Sequence, residues 1–223
     1  MIWRGGGLIG LPKNCADLKT VGYEWYYNWS PTPPCGAMGV PFVPMVKGPF
    51  KTLSSNLYLP GALLTFNEPD AAGMTVEKAL DLWPQLEVTG RKLSSPAVTQ
   101  TLRGSQWLTT FMTGAKANGY RVDFIAAHWY GTDQRELVSY LNGLHVKFGL
   151  PIWLTEFCRY GCDQEANARF AKQVGPMLAA LPYLHRVGWF CNRSLPGGYE
   201  HSGLVDSSGN LTPVGTAYKA WQR

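Results

Sequence analysis

Eight short apolar runs recur along the chain, and helix-like stretches separate most of them. That alternation constrains the fold more than any single residue does. The runs span 2–9, 23–28, 40–46, 62–67, 92–99, 122–129, 151–157 and 184–191. Helical spacing is expected over 14–21, with Asn14 as N-cap, and over 75–91, where Val76, Ala79, Leu80, Trp83 and Leu86 recur with the helical period. Pro84 is expected to kink or end the first part of that helix. Further helices are expected over 105–118, closed by Gly119, and over 133–148, opened by Asp133 and closed by Gly149. The last two are expected over 164–181 and 214–221. A Pro-rich loop, 30–39, stands where a second helix would fall. Strands alternating with helices imply a parallel sheet, and eight such units imply a closed barrel. The predicted fold is therefore α/β: one compact (β/α)8 TIM barrel over 1–223, with some helices short or missing.

At 45% apolar and 16% charged residues, the chain reads as globular. Nine Trp and eleven Tyr exceed what a core of this size needs. Some are expected to be flat platforms for a ligand with C–H faces, such as a sugar. The net charge is +5, but Lys and Arg are scattered, the longest run being Arg91-Lys92. This argues against a nucleic-acid partner. No apolar run reaches the length of roughly 18 residues that a membrane span needs. The five cysteines contain no C-x-x-C pair, and no His stands at zinc-ligand spacing from Cys158 and Cys162. A loop disulfide between Cys158 and Cys162 is expected if the protein is exported. Gly5-Gly6-Gly7 lies inside the first run and is not the G-x-G-x-x-G of a dinucleotide site. No metal and no cofactor is expected.

A barrel places its active residues at the carboxyl ends of its strands. The fourth run ends Thr65-Phe66-Asn67-Glu68-Pro69-Asp70, the sixth His128-Trp129-Tyr130-Gly131, and the seventh Trp153-Leu154-Thr155-Glu156-Phe157. The eighth contains Gly188-Trp189-Phe190. A Glu ending an apolar strand is costly to bury unless paired or functional. One alone is as well explained by an ion pair as by catalysis. Two at one rim fit glycosidic hydrolysis, where one carboxyl protonates the leaving oxygen and the other attacks the anomeric carbon or activates water. Alternation places His128 and Tyr130 on one face of their strand and Trp129 on the other, and likewise turns Trp153 away from Glu156. At least one of those two indoles is expected to pack under helices. Glu24 faces with Tyr26 and Asn28 and has no assigned role.

These motifs resemble the large clan of retaining (β/α)8 glycoside hydrolases. A wider ordered series is similar to glycoside hydrolase family 128, a group of compact β-1,3-glucanases. Its marks are Trp25-Tyr26-Tyr27-Asn28-Trp29, Phe42-Val43-Pro44-Met45, Phe66-Asn67-Glu68-Pro69-Asp70, Ser95-Pro96-Ala97, Asp123-Phe124-Ile125, His128-Trp129-Tyr130-Gly131 and Trp153-Leu154-Thr155-Glu156-Phe157. The resemblance implies a retaining, endo-acting β-1,3-glucanase that works as a secreted monomer, extracellular or periplasmic, on β-1,3-glucan. Glu68 would be the acid/base and Glu156 the nucleophile, with Glu68 the higher in pKa before attack. Asn67 would bind the sugar 2-hydroxyl, Tyr130 would hold Glu156, and His128 would support the same site. Trp189 would be the platform under the sugar at the cleavage point. Trp25, Trp29 and Asn28 would bind substrate, and Trp129 and Trp153 are weaker candidates. The family pattern has an aromatic residue after Pro-Met, where this chain reads Pro44-Met45-Val46-Lys47-Gly48. The alternatives are a β-glycanase acting on β-1,4-glucan or mannan, a non-catalytic carbohydrate-binding barrel, and a metabolic barrel on a phosphorylated sugar, for which Gly197-Gly198 is the sole hint.

Overall fold

The computed structural model describes residues 2–10, 12–36 and 38–221. Seven parallel strands are formed: β1 (Trp3–Gly7), β2 (Trp25–Tyr27), β3 (Ala62–Leu63), β4 (Lys92–Leu93), β5 (Ile125–Gly131), β6 (Ile152–Arg159) and β7 (Leu184–Trp189). Five of them make one sheet in the order β2-β1-β7-β6-β5, and β3 pairs with β4. Four parallel bridges close the ring: Tyr26 to Phe42, Met45 to Leu64, Asn67 to Ala97 and Ser94 to Phe124. The segment 42–45 is thus the missing eighth stave. Pro41 and Pro44 deny it the N–H groups of a regular ladder, so it pairs only at single residues. The result is the eight-stranded α/β barrel that the alternation predicts.

Helices cover six of the eight crossovers: α1 (Asp17–Val21), α2 (Val76–Glu87), α3 (Leu102–Ala117), α4 (Gln134–Phe148), α5 (Gln164–Ala179) and α6 (Pro213–Lys219). The Pro-rich loop after β2 holds none, and the connection after 42–45 has only a 3-10 turn, Ser55–Tyr58. Two helix starts differ from expectation. Asn14 does not cap α1; its Nδ2 donates to Ile9 O instead. Helix α3 begins three residues early because the Thr101 side chain accepts from Gly104 N. Helix α2 runs through Pro84, which is exposed, so water can take the carbonyl that the ring leaves unpaired.

Burial separates the two faces of the staves. Trp25, Tyr27, Val43, Met45, Leu64, Phe124 and Trp153 fill the barrel interior. Leu154, Phe157, Val187 and Trp189 pack outward against Phe170, Val174 and Leu178 of α5 and Tyr218 of α6. A second outer layer joins β3 and β4 to α2 and α3. The glycines of β1 find their reason here. A Cβ on Gly5 would meet the Trp25 ring at 2.6 Å, and one on Gly7 the Trp29 ring at 2.4 Å. The run makes room for two indoles and is not a phosphate turn. Glu24 takes a hydrogen bond from Arg4 N at 2.8 Å, a strand-to-strand tie far along the staves from the catalytic-looking rim.

Cysteine pairing differs from expectation. Cys15 is bonded to Cys35, which ties the turn before α1 to the loop after β2, while Cys158, Cys162 and Cys191 are free. Cys158 is buried in β6, and Cys162, in the loop that follows, donates to Arg159 O. Thiol titration of the denatured, unreduced protein is expected to find three thiols, and reduction should lower stability by about 2–4 kcal/mol. Five thiols would contradict the bridge.

Candidate active site

A one-residue bulge sets the site. Ala127 pairs with Leu154, but His128 pairs with Glu156, so Thr155 has no partner on β5. Leu154 points outward, and strict alternation would send Glu156 outward as well. The extra residue returns Glu156 to the interior. It also overturns the expectation for Trp153, which lies on the same face as Glu156 and deeper in the barrel, stacked on Phe124 at 4.2 Å. Trp129 does pack under a helix, stacked on Phe170 of α5.

Glu156 is 5% exposed and its carboxylate is held by three donors. Trp29 Nε1 donates to Oε1 at 2.9 Å, and Tyr130 OH donates to Oε2 at 2.6 Å. Tyr27 OH lies 3.2 Å from Oε1 and 3.1 Å from Thr155 O and shares its one proton between them. Burial first, and then the Glu156 charge, push both tyrosines well above the ordinary phenol value, so they remain donors at any working pH.

Glu68 follows β3, and its backbone is fixed on both sides. Its N–H donates to Ala97 O, and its carbonyl accepts from Ala71 and Ala72. Its φ of 43°, and the φ of 54° at Trp29, are the only left-handed non-glycine conformations among the described residues. Such strain persists where the surroundings over-determine it, and here both cases lie at one rim. His128 joins the two carboxylates. It is fully buried, with Nδ1 3.0 Å from Glu68 Oε1 and Nε2 3.4 Å from Glu156 Oε1. One donor atom from each of Glu68, His128 and Glu156 lies within 4.8 Å of the others. The imidazole turns a different nitrogen to each carboxylate, with a hydrogen bond to Glu68 and a looser contact to Glu156.

The His128 bond, then its charge and that of Lys47, hold the Glu68 carboxyl below the ordinary value against the opposing effect of burial. The shift is opposite in direction to the one expected of a resting proton donor. Burial alone would lower His128, but Glu156 and Glu68, with Asp70 behind them, outweigh it and the net shift is upward.

The other sequence candidates divide. Asn67 lies at the rim with its Oδ1 buried and unpartnered. Trp29 is in the site, but as a donor to Glu156. Asn28 donates to Thr32 O in the loop after β2 and bonds neither glutamate. Trp25 is wholly buried, with Nε1 bonded to Trp3 O at the amino end of the barrel, so it cannot meet a sugar. Trp189 is wholly buried too. Its Nε1 donates to Ser202 O and its ring packs on Phe157 and Tyr218. It is a core residue on the outer face and offers no platform. The next residue, Phe190, does reach the rim, with its ring 6.1 Å from Trp29, 5.7 Å from Tyr130 and 5.0 Å from Tyr199. Tyr199 in turn meets Tyr160. Alternation that counts Gly188 as inward already points to Phe190 and, from Trp25, to Tyr27; neither was singled out in sequence.

The family described as glycosyl hydrolase catalytic core matches residues 10–218. An endo-β-1,3-glucanase of glycoside hydrolase family 128, subgroup I, from Amycolatopsis mediterranei, solved with laminaritriose, is 35% identical. The match covers 100% of both chains at a TM-score of 0.88. A subgroup II endo-β-1,3-glucanase from Sorangium cellulosum is 27% identical over 99% of each chain at a TM-score of 0.86. Alkali-sensitive linkage protein 1 of Schizosaccharomyces pombe is 32% identical over 239 residues, 98% of this chain and 43% of that protein. The chain thus spans under half the length of that curated relative. Barrel and paired rim glutamates together define a glycoside hydrolase scaffold. The chain belongs to the glycosyl hydrolase catalytic core family and, within it, to glycoside hydrolase family 128.

Trp189→Ala is expected to lower stability by about 3–5 kcal/mol as a core truncation. Phe190→Ala is expected to weaken laminari-oligosaccharide binding by about 1 kcal/mol. Chemical denaturation and calorimetric titration separate the two. A Trp189→Ala protein of unchanged stability that had lost sugar binding would restore the platform assignment.

Proposed function

We propose that this chain is a retaining endo-β-1,3-glucanase in which Glu156 attacks the anomeric carbon and Glu68 moves the proton. The observation that carries the reading is the closeness of the pair: one oxygen of each carboxylate lies within the 4.8 Å that also encloses His128. Inverting enzymes hold their carboxyls about 6.5–9.5 Å apart to admit a water, and retaining ones about 5–5.5 Å. A nearest-oxygen distance of that size favours the shorter, retaining range.

The chemistry follows from the donors. Trp29, Tyr130 and Tyr27 donate to Glu156 and aim it, which pre-arranges the nucleophile before substrate arrives. As the bond from carbon to leaving oxygen breaks, that oxygen takes the proton from Glu68, and Glu156 forms the glycosyl ester. Glu68, now ionised, then takes a proton from the water that releases the sugar. The unpartnered Asn67 Oδ1 suits the 2-hydroxyl of the sugar being cleaved. The arc of Phe190, Tyr130, Tyr199 and Tyr160 supplies apolar faces for neighbouring sugars.

Substrate and mode rest on the relatives. Variants of the subgroup I enzyme with one glutamate replaced were solved with laminaripentaose and laminarihexaose, chains long enough to cross a cleavage point. The Cys15–Cys35 bridge supports an oxidising compartment, extracellular or periplasmic. On this reading the chain acts as a monomer on β-1,3-glucan.

Reducing-sugar release is expected from laminarin and curdlan, and not from carboxymethyl-cellulose or mannan. Glu156→Gln should lower kcat by about a thousandfold or more while the fold and sugar binding persist. Early products should be the β-anomer by proton NMR. Preferential release from mannan, or an early α-anomer, would contradict substrate or mechanism respectively.

A further inference from the structure

We infer that Glu68 and His128 hold the catalytic proton in common, with His128 storing it in the resting site and passing it to Glu68 along the bond between them. The inference rests on the reading of Glu68 as the acid/base and adds where its proton comes from.

The geometry leaves few arrangements. A neutral imidazole has one N–H. If Nδ1 carries it, the bare Nε2, itself buried and without a hydrogen-bond partner, faces Glu156 Oε1 at 3.4 Å. Lone pair against carboxylate is repulsive there. If Nε2 carries it, the bare Nδ1 sits 3.0 Å from Glu68 Oε1, a distance that requires a proton between them. With Glu156 left as the acceptor of its three donors, two arrangements escape this conflict. One is an imidazolium between two carboxylates. The other is a neutral imidazole with Nε2–H toward Glu156 and a protonated Glu68 donating to Nδ1.

These two states contain the same number of protons. They differ by the passage of one proton from Nδ1 to Oε1, and the second is the form that an acid catalyst needs. When Glu68 then gives its proton to the leaving oxygen, the chain is left as neutral His128 and ionised Glu68. The proton later taken from the attacking water returns along the same path to Nδ1. The charged groups facing His128 are Glu156, Glu68 and Asp70, and Lys47 acts on Glu68. Tyr27 and Tyr130 stay neutral against Glu156. Three carboxylates around one imidazole favour keeping the proton. This explains why a low-lying Glu68 is compatible with acid catalysis: the pair titrates as a unit, and its loss of a proton is that of the raised imidazole.

His128 is accordingly a positioning residue, and the alkaline limb of kcat/KM belongs to the pair and not to a glutamate. The test joins two readouts. Nitrogen-15 NMR of histidine-labelled protein should show His128 doubly protonated at pH 6 and titrating together with the alkaline limb measured on laminarin. Glu156→Gln, which removes a facing charge, should lower the His128 titration by about one pH unit or more. His128→Asn should move the alkaline limb down by about one unit or more, with kcat falling more than KM changes. A His128 that is neutral at pH 6, or a limb unmoved in His128→Asn, would overturn the shared proton. If that variant does not fold, the NMR titration of the parent and of Glu156→Gln decides. If the parent hydrolyses no β-glucan, the proposed activity fails, but the imidazole titration still settles where the proton rests.

Discussion

Between Leu154 and Glu156 the β6 strand holds one residue more than its neighbours can pair, and the site depends on that residue. Were Thr155 paired in regular alternation, a stave with Leu154 facing α5 would carry Glu156 on the opposite side from the one it occupies. With Thr155 unpaired, the carboxylate enters the mouth of the barrel within reach of Trp29, Tyr130 and His128. The displaced Thr155 carbonyl needs space, and the facing residue on β7 is Gly188, where a Cβ would lie 2.4 Å from that oxygen. Tyr27 then meets the same carbonyl. Bulge, glycine and phenol form one device, and Glu156 is aimed by all three.

The same use of small residues organises the rest of the interior. Gly5 and Gly7 give up their side chains so that the indoles of Trp25 and Trp29 can occupy the barrel at two levels. Below, Arg186 lies over the rings of Trp3, Trp25 and Trp153, and its burial lowers its pKa to about 10. Above, Trp29 turns its N–H to Glu156. A barrel whose lumen is filled by stacked aromatic rings holds Glu156 on a stiff support. Glu68, by contrast, is about a third exposed at its side chain and is positioned by backbone bonds and by His128.

Much of this was legible in the chain. The shared face of His128 and Tyr130 and the outward turn of Trp129 follow from a period of two, and the strand-end glutamates from where the apolar runs stop. The errors come where the period breaks or where contacts are remote. Trp153 was assigned to the wrong face because a bulge cannot be seen in a single sequence. Trp189 was preferred to Phe190 because an indole looks like a sugar platform, although Gly188 marks the inward position and Trp189 follows it. Cys15 and Cys35 are joined by the fold of two loops, which no local spacing announces, whereas Cys158 and Cys162, close in sequence, are free. The depressed Glu68 depends on a bond across two staves, and composition carries no trace of it.

The central claim is that Glu156 becomes covalently bonded to sugar during turnover. Incubation with a 2-deoxy-2-fluoro laminaribioside bearing an activated leaving group, followed by proteolysis and tandem mass spectrometry, tests it directly. The account predicts a single glycosylated peptide, with the modification on Glu156. Label on Glu68, or inactivation with no covalent adduct, would contradict it.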